Sequence, residues 1–299
     1  MIARLTSSVS FAVEREWLRA IFYMVLSAVC WSAIELAGEH LVSGVSPYQL
    51  VWTRYVFHLL FMIVVLGPRY KTTIIRTQRF KLQIARSLCM LTMPVCFILA
   101  AQQMPAHDVW SVYWFAPMMV LGISSWFLGE HAGSRRWMAA AFGLIGVLLV
   151  LQPDRGILSL ASLLALGMGL SFSLHLTLSR ILRVEHPLAN LFYTGFGVFV
   201  PLCLVVPFLW QPPSLTSLAG MAFIGVVGAL GLFAFARSAE LAPMPVVAGF
   251  AYTEVIFTML FNAVLFHELP GRMMLLGGLV VAGVVGYLFI HELRTHEPR

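Results

Sequence analysis

The sequence predicts an all-α integral membrane protein of ten transmembrane helices, built as two inverted five-helix repeats with both termini cytoplasmic. Three observations lead there: an apolar composition, a long stretch that recurs about half the chain later, and a one-sided distribution of Lys and Arg. Hydrophobic residues are 60% of the 299 and charged residues 11%, with a mean hydropathy of +0.88. A soluble domain carries about 25% charged residues, so this chain has too little polar surface to cover a globule in water. Cys30, Cys89, Cys96 and Cys203 fall inside apolar runs without disulfide or metal spacing, which reads as small buried residues.

The recurring stretch is Ala116 to Leu151, APMMVLGISSWFLGEHAGSRRWMAAAFGLIGVLLVL, and its echo is Glu254 to Ile290. Each copy is an apolar run ending in a lone glutamate, Glu130 or Glu268, then a loop glycine, Gly133 or Gly271. A second apolar run follows with paired small residues, Gly143 and Gly146 or Gly283 and Gly286. Self-similarity at this spacing is the mark of a duplicated unit.

A bilayer core of about 30 Å takes roughly 20 apolar residues of helix. That template picks out 17–37, 47–67, 82–102, 107–128, 135–151, 157–180, 188–209, 216–238, 245–266 and 273–290. The first repeat is therefore 17–151 and the second 157–290. They are flanked by an N-terminal cytoplasmic segment, 1–16, and a cytoplasmic tail, 291–299. Residues 1–16 lack a clear signal-peptide core and cleavage site, so the segment is expected to be kept, as a short interfacial helix.

Basic residues collect in cytoplasmic loops. With the N-terminus inside, fifteen fall on the cytoplasmic side, among them the cluster Arg69, Lys71, Arg76, Arg79 and Lys81, and only Arg155 and Arg272 fall outside. The net charge of +6 is thereby accounted for by orientation and lipid headgroups, with no nucleic acid as partner. An odd number of helices per repeat inverts the second half in the membrane. Inverted repeats of this kind build secondary transporters, with the substrate site near the midplane.

The segment 116–156, together with YQLVWTRYVFHLL in the second helix and AGFAYTEVIFTMLFNAVLFHELP in the ninth, resembles the EamA family of the drug/metabolite transporter superfamily. The resemblance runs from about Trp17 to Glu292. It rests on a helix-two arginine (Arg54), a helix-four proline (Pro117), a helix-ending glutamate and a glycine-rich helix after it. It implies a central cavity lined by both halves, with helices five and ten set apart as scaffold. Similar proteins move amino acids, nucleosides, riboflavin, S-adenosylmethionine and metal-chelating molecules, some inward and some outward. Val255 stands where the duplication aligns Pro117, so no kink is expected in helix nine. Independently, Ala139, Gly143 and Gly146 in helix five and Gly278, Ala282 and Gly286 in helix ten are small residues suited to close packing.

Ionisable residues at membrane depth are costly and are functional candidates. Trp31 and Glu35 share a face of the first helix, with Glu35 and Glu39 near its outer end. Arg54 and His58 share a face of the second, and Arg54 suits either a substrate carboxylate or phosphate or a fixed pair with Glu35. Helix six carries Gly167, Ser171, His175 and Ser179 on one face, and His175 reads as a packing group or a titrating one. Glu254, Thr258 and Asn262 form a stripe on helix nine, with Glu254 near the midplane. Tyr113, Trp114, Phe250 and Tyr252 are candidates for flat walls beside Trp31, although Tyr252 and Glu254 point to nearly opposite sides. Trp17, Trp52, Trp110, Trp126, Trp137 and Trp210 read as the interfacial belt. Pro117, Glu130 and Glu268 read as structural and turn residues, and Arg86 as snorkelling to the cytoplasmic surface.

These features point to a secondary transporter of a small polar or amphipathic metabolite in the cell inner membrane. It would work by alternating access as a monomer or homodimer, with proton coupling open to it and export the expected direction. Uptake of a cofactor-type metabolite such as riboflavin or S-adenosylmethionine is the alternative, and a lipid-headgroup flippase subunit is the alternative of another class. No Walker-type phosphate loop, HExxH, GxSxG or His and carboxylate cluster at metal spacing occurs, which argues against ATP hydrolysis, enzymatic activity, a metal site and any cofactor.

Overall fold

In the computed structural model, residues 2–154 and 159–294 are described, and these hold helices and no strands. The chain runs α1 (Ile2–Leu41), α2 (Pro47–Phe61), α3 (Phe80–Ala101), α4 (Ala106–Tyr113), α5 (Ala116–Phe127) and α6 (Ser134–Leu151). It continues with α7 (Ala161–Ile181), α8 (Pro187–Leu202), α9 (Leu215–Leu241), α10 (Met244–Val247), α11 (Thr253–Leu265) and α12 (Arg272–Arg294). Eight segments among the described residues are long and apolar enough to cross a membrane. Arg155, the expected start of the sixth span at 157–158 and the tail from 295 lie outside the described residues.

Three expectations are corrected. The N-terminal segment is not a separate helix, because α1 is continuous from Ile2 through Leu41. The expected span 107–128 is two helices, α4 and α5, joined through Trp114 and Phe115. Pro117 at the start of α5 has no amide hydrogen to offer Tyr113 four residues back, so the helix is relaid there. The expected span 188–209 is only the 16 residues of α8, which ends just past Pro201.

Helix nine is interrupted as well, contrary to the expectation from Val255. Ala248–Tyr252 forms a tight 3₁₀ stretch between α10 and α11. Here packing replaces proline: the Thr253 hydroxyl donates to the Phe250 carbonyl at 2.7 Å, and the Tyr252 hydroxyl donates to Ala140 O at 3.0 Å. A Cβ on Gly143 would sit 2.6 Å from the Tyr252 ring, so that glycine makes the slot for the ring.

The two glutamate turns share one geometry. Leu128 N–H and Glu130 N–H both donate to Ser124 O, while Phe266 N–H and Glu268 N–H both donate to Asn262 O. The residue between is left-handed in each, Gly129 at φ 65 and His267 at φ 58. This is the helix-ending motif in which one left-handed residue turns orphan carbonyls toward following amides.

α12 packs chiefly on α6. The seam runs through Gly146, whose Cβ would lie 3.0 Å from Gly277 O and 2.8 Å from Val281. Gly283 and Gly286 meet nothing within 4 Å of an added Cβ, so the expected use of Gly286 in close packing is not seen. At the end of the bundle where α6 begins and α12 ends, Arg136 holds Glu292 through two bonds of 2.8 and 2.9 Å.

Candidate functional site

α1 packs along α9, and small residues allow it: a Cβ on Gly231 would lie 2.9 Å from Cys30 Cβ. On its other side α1 meets α11. The Ser32 hydroxyl donates to Glu254 O at 2.8 Å. The Thr258 hydroxyl lies 3.1 Å from Ser32 Oγ and 3.4 Å from Glu35 Oε2, and with one proton it serves one at a time. α11 thus meets Ser32 and Glu35 of α1 through the Thr258 hydroxyl and the Glu254 carbonyl, one helix from each half of the chain.

Where α1 and α11 meet the broken helices lies a small cavity walled by Trp31, Trp110, Tyr113, Phe172, Phe235 and Glu254. Its volume is about 30 Å³, room for about one or two waters. Tyr113 stands edge-on to Trp110, Trp114 and Phe172 at ring separations of 5.3, 5.5 and 5.7 Å. Among the described residues no cation and no side-chain hydrogen bond engages the Glu254 carboxylate, which sits in the first turn of α11.

Arg54 does not pair with Glu35 among the described residues. Its guanidinium lies over Trp31, with Cζ 4.6 Å from the ring centroid, and a terminal nitrogen is buried with no hydrogen-bond partner. Gly228 on α9 makes the room, since a Cβ there would lie 2.9 Å from Arg54 Nε. Trp31 therefore has the cavity on one side and a cation against its ring.

Other candidates stand apart from this cavity. Trp114 packs against Tyr252 at 5.7 Å, and Tyr252 is committed to Ala140. His58 is fully buried beside Gly195, with neither ring nitrogen bonded. His175 is buried, with Nδ1 3.0 Å from Arg86 O. Arg86 is 2% exposed and does not snorkel; it bonds Ser179 Oγ, Gln83 Oε1 and Asn190 O, acceptors that replace the surface. Pro117 begins α5. Glu268 is an exposed turn residue, while Glu130 reaches further, accepting from Arg180 Nε at 2.8 Å and from Met244 N–H at 2.7 Å.

Several lining residues were missed. Met24, Ser27 and Ala28 line the cavity with Trp31, and their spacing of three, four and seven is a helical face that the sequence displays. Trp110, assigned to the interfacial belt, lines the cavity instead, because the break after Tyr113 turns α4 inward. A separate cleft of about 510 Å³ lies between α1, α2, α8 and α9, lined by Tyr23, Tyr70, His186, Phe233 and Arg237 among others.

Residues 18–152 match the EamA-like transporter family. The chain is 21% identical over 290 residues to an S-adenosylmethionine uptake transporter of Rickettsia conorii, covering 95% of this chain and 98% of the relative. A protein of the same name from Rickettsia bellii is 20% identical, covering 93% and 96%. A riboflavin transporter of Vibrio cholerae is 26% identical, covering 96% and 98%. A solved protein structure superposes with a TM-score of 0.80 at 14% identity, covering 93% of this chain and 99% of the other, a likeness of fold alone.

Proposed function

We propose, from the match of residues 18–152 to the EamA-like transporter family, that this multi-pass membrane protein carries a cationic aromatic metabolite such as S-adenosylmethionine. The observation that carries the proposal is the Glu254 carboxylate, paired with no cation among the described residues and set in a cavity walled by Trp31, Trp110, Tyr113, Phe172 and Phe235. Aromatic faces stack a purine and attract a sulfonium or ammonium group, and a carboxylate in a dry site binds the same charge strongly. Glu35 adds a second carboxyl group nearby, 3.4 Å from the Thr258 hydroxyl. Arg54 is placed for the substrate carboxylate once Trp31 moves aside, with the planar fork that matches it.

The architecture we propose is ten membrane segments in two inverted repeats, 17–151 and 157–290, with both termini cytoplasmic. The shared geometry of the turns at Glu130 and Glu268 and the matching interruptions before α5 and α11 support it. A substrate of this size needs a pocket of some 300 Å³ or more, about ten times the cavity present. The conformation is therefore closed around the site, and transport proceeds by opening to one side at a time. Uptake, the direction in both Rickettsia names and the alternative to export in the sequence reading, is the direction we propose. Proton coupling through Glu254 and Glu35 follows if these carboxylates exchange substrate for protons.

The test is a thermal-shift series on the purified protein and its Glu254→Gln variant with S-adenosylmethionine, riboflavin and amino acids, followed by uptake into proteoliposomes. Stabilisation of the parent by S-adenosylmethionine, by about 2.7 kcal/mol at a hundredfold excess over Kd, with none in the variant, is the expected result. Equal stabilisation of both proteins removes Glu254 from the site, and stabilisation by riboflavin alone assigns the other substrate class.

A further inference from the structure

We propose that His107, Asp108 and Asp154 form a binding site for a divalent transition-metal cation, with Zn²⁺ the best match to the ligand set, tying the start of α4 to the segment after α6. The sequence shows no such cluster because Asp108 and Asp154 are 46 residues apart. The fold brings the three together at the end of α6 opposite the Arg136–Glu292 pair. One ligand atom from each lies within 4.8 Å of the others.

The spacing fits a metal. His107 Nε2 is 3.5 Å from Asp108 Oδ1 and 3.7 Å from Asp154 Oδ2. Ligands bonded at about 2.0–2.2 Å around a tetrahedral Zn²⁺ are separated from one another by about 3.4 Å. Three protein ligands leave a fourth position for water. An imidazole with two carboxylates is a hard-to-borderline set that suits Zn²⁺ and excludes the thiolate-seeking ions.

The second observation is independent of that spacing. The Asp108 side chain is 0% exposed. Its Oδ1 accepts the Asp154 N–H at 2.8 Å, which fixes the carboxylate in place, while Oδ2 is buried with no hydrogen-bond partner. A buried carboxylate requires a counter-charge or a full set of donors, and no Arg or Lys among the described residues pairs with it. A cation held between Asp108 and its two half-exposed or exposed neighbours supplies that charge, and the neighbours give it a route from solvent.

The position gives the site a consequence. Asp108 lies in the first turn of α4, the short helix that carries Trp110 and Tyr113 into the central cavity. A cation bridging it to Asp154 anchors this half-helix at its outer end. This inference stands on its own geometry and does not depend on the identity of the transported substrate.

The experiment is a Zn²⁺ titration by isothermal calorimetry on the tag-free, full-length protein in detergent, beside the double variant His107→Ala/Asp154→Ala. Those side chains are 43% and 75% exposed, so the variant is expected to keep its fold, which its elution profile checks. One Zn²⁺ per chain in the parent, at least tenfold weaker in the variant, supports the site. X-ray absorption showing one imidazole with oxygen ligands and no sulfur supports it further. No binding to the parent, or the same stoichiometry and affinity in both proteins, overturns it.

Discussion

The Glu130 carboxylate meets the Arg180 guanidinium at 2.8 Å, so a turn in the first half of the chain is tied to the end of a helix in the second. The same carboxylate accepts the Met244 N–H, one of the orphan donors at the start of α10. Arg180 Nη1 donates to Ala239 O and Glu240 O at 2.9 and 2.8 Å. The sequence reading made Glu130 a turn residue; in the structure its carboxylate also caps a helix more than a hundred residues away. Both side chains are largely buried, and removing one partner of such a pair leaves a charge uncompensated, at a cost of about 3 kcal/mol or more. Arg180→Ala is expected to lower stability by that amount, measured by denaturation in detergent. Glu130→Gln, which keeps an acceptor for Met244, is expected to cost about half as much. A double-mutant cycle with coupling below about 0.5 kcal/mol would show that the tie is incidental.

Two glycines of α9, one turn apart, should respond to the same substitution in different ways. A Cβ on Gly225 would fall 2.5 Å from Phe57 Cβ and 2.7 Å from the Arg54 carbonyl oxygen, neither of which can turn away. Gly225→Ala is therefore a fold mutation, expected to cost about 1–3 kcal/mol by overpacking. A Cβ on Gly228 meets Arg54 Nε at 2.9 Å and a terminal nitrogen at 3.2 Å, the far end of a flexible side chain. Gly228→Ala is expected to leave the melting temperature within about 2 °C of the parent while displacing the guanidinium from Trp31 and weakening substrate binding. Thermal melts and ligand titrations on the two variants separate these outcomes; equal loss of stability in both would contradict the assignment.

Membrane class and the paired glutamate turns were legible because composition and a long self-similar stretch are properties of the chain itself. The stripe of Glu254, Thr258 and Asn262 was legible for the same reason, and it faces α1 through Thr258 as a helical period requires. The partner of Arg54 was not. Glu35 and Trp31 are four apart on one face, and which of them takes the guanidinium depends on how α1 and α2 each seat on a third helix, α9, where Gly225 and Gly228 lie against Arg54. The break before α11 was hidden because no proline marks it; a tyrosine hydroxyl bonded to another helix holds it. Arg86 was misplaced because its acceptors, Ser179 and Asn190, come from helices about ninety to a hundred residues later.

The duplicated turn carries an asymmetry that can be measured. Gly129 and His267 occupy equivalent left-handed positions, at φ 65 and 58, a region that costs a residue with a Cβ about 1 kcal/mol relative to glycine. Gly129→Ala is expected to destabilise by about 1 kcal/mol. His267→Gly is expected to stabilise by a few tenths up to 1 kcal/mol, part of the gain being offset by the greater freedom of glycine in the unfolded chain. His267 is exposed, so packing contributes little to the comparison. Denaturation of the two variants in one detergent reads the difference directly, and a destabilised His267→Gly would mean that the imidazole makes a contact worth more than the strain.

Arg54 provides the sharpest separation between a site that reads a carboxylate and one that reads only an aromatic cation. Lys keeps the charge but loses the planar fork, and a charge-assisted pair of hydrogen bonds to a carboxylate is worth about 1.5–3 kcal/mol. Arg54→Lys is therefore expected to weaken S-adenosylmethionine binding tenfold or more. Methylthioadenosine, which keeps the purine and lacks both the carboxylate and the sulfonium charge, supplies the control, because its weaker binding should be unchanged by the substitution. Glu254→Gln should act on the positive charge of the same ligand, so the two variants together separate recognition of its cation from recognition of its carboxylate. If Arg54→Lys weakens both compounds equally, the guanidinium serves the site only by holding Trp31 as a wall, and the carboxylate must be met elsewhere.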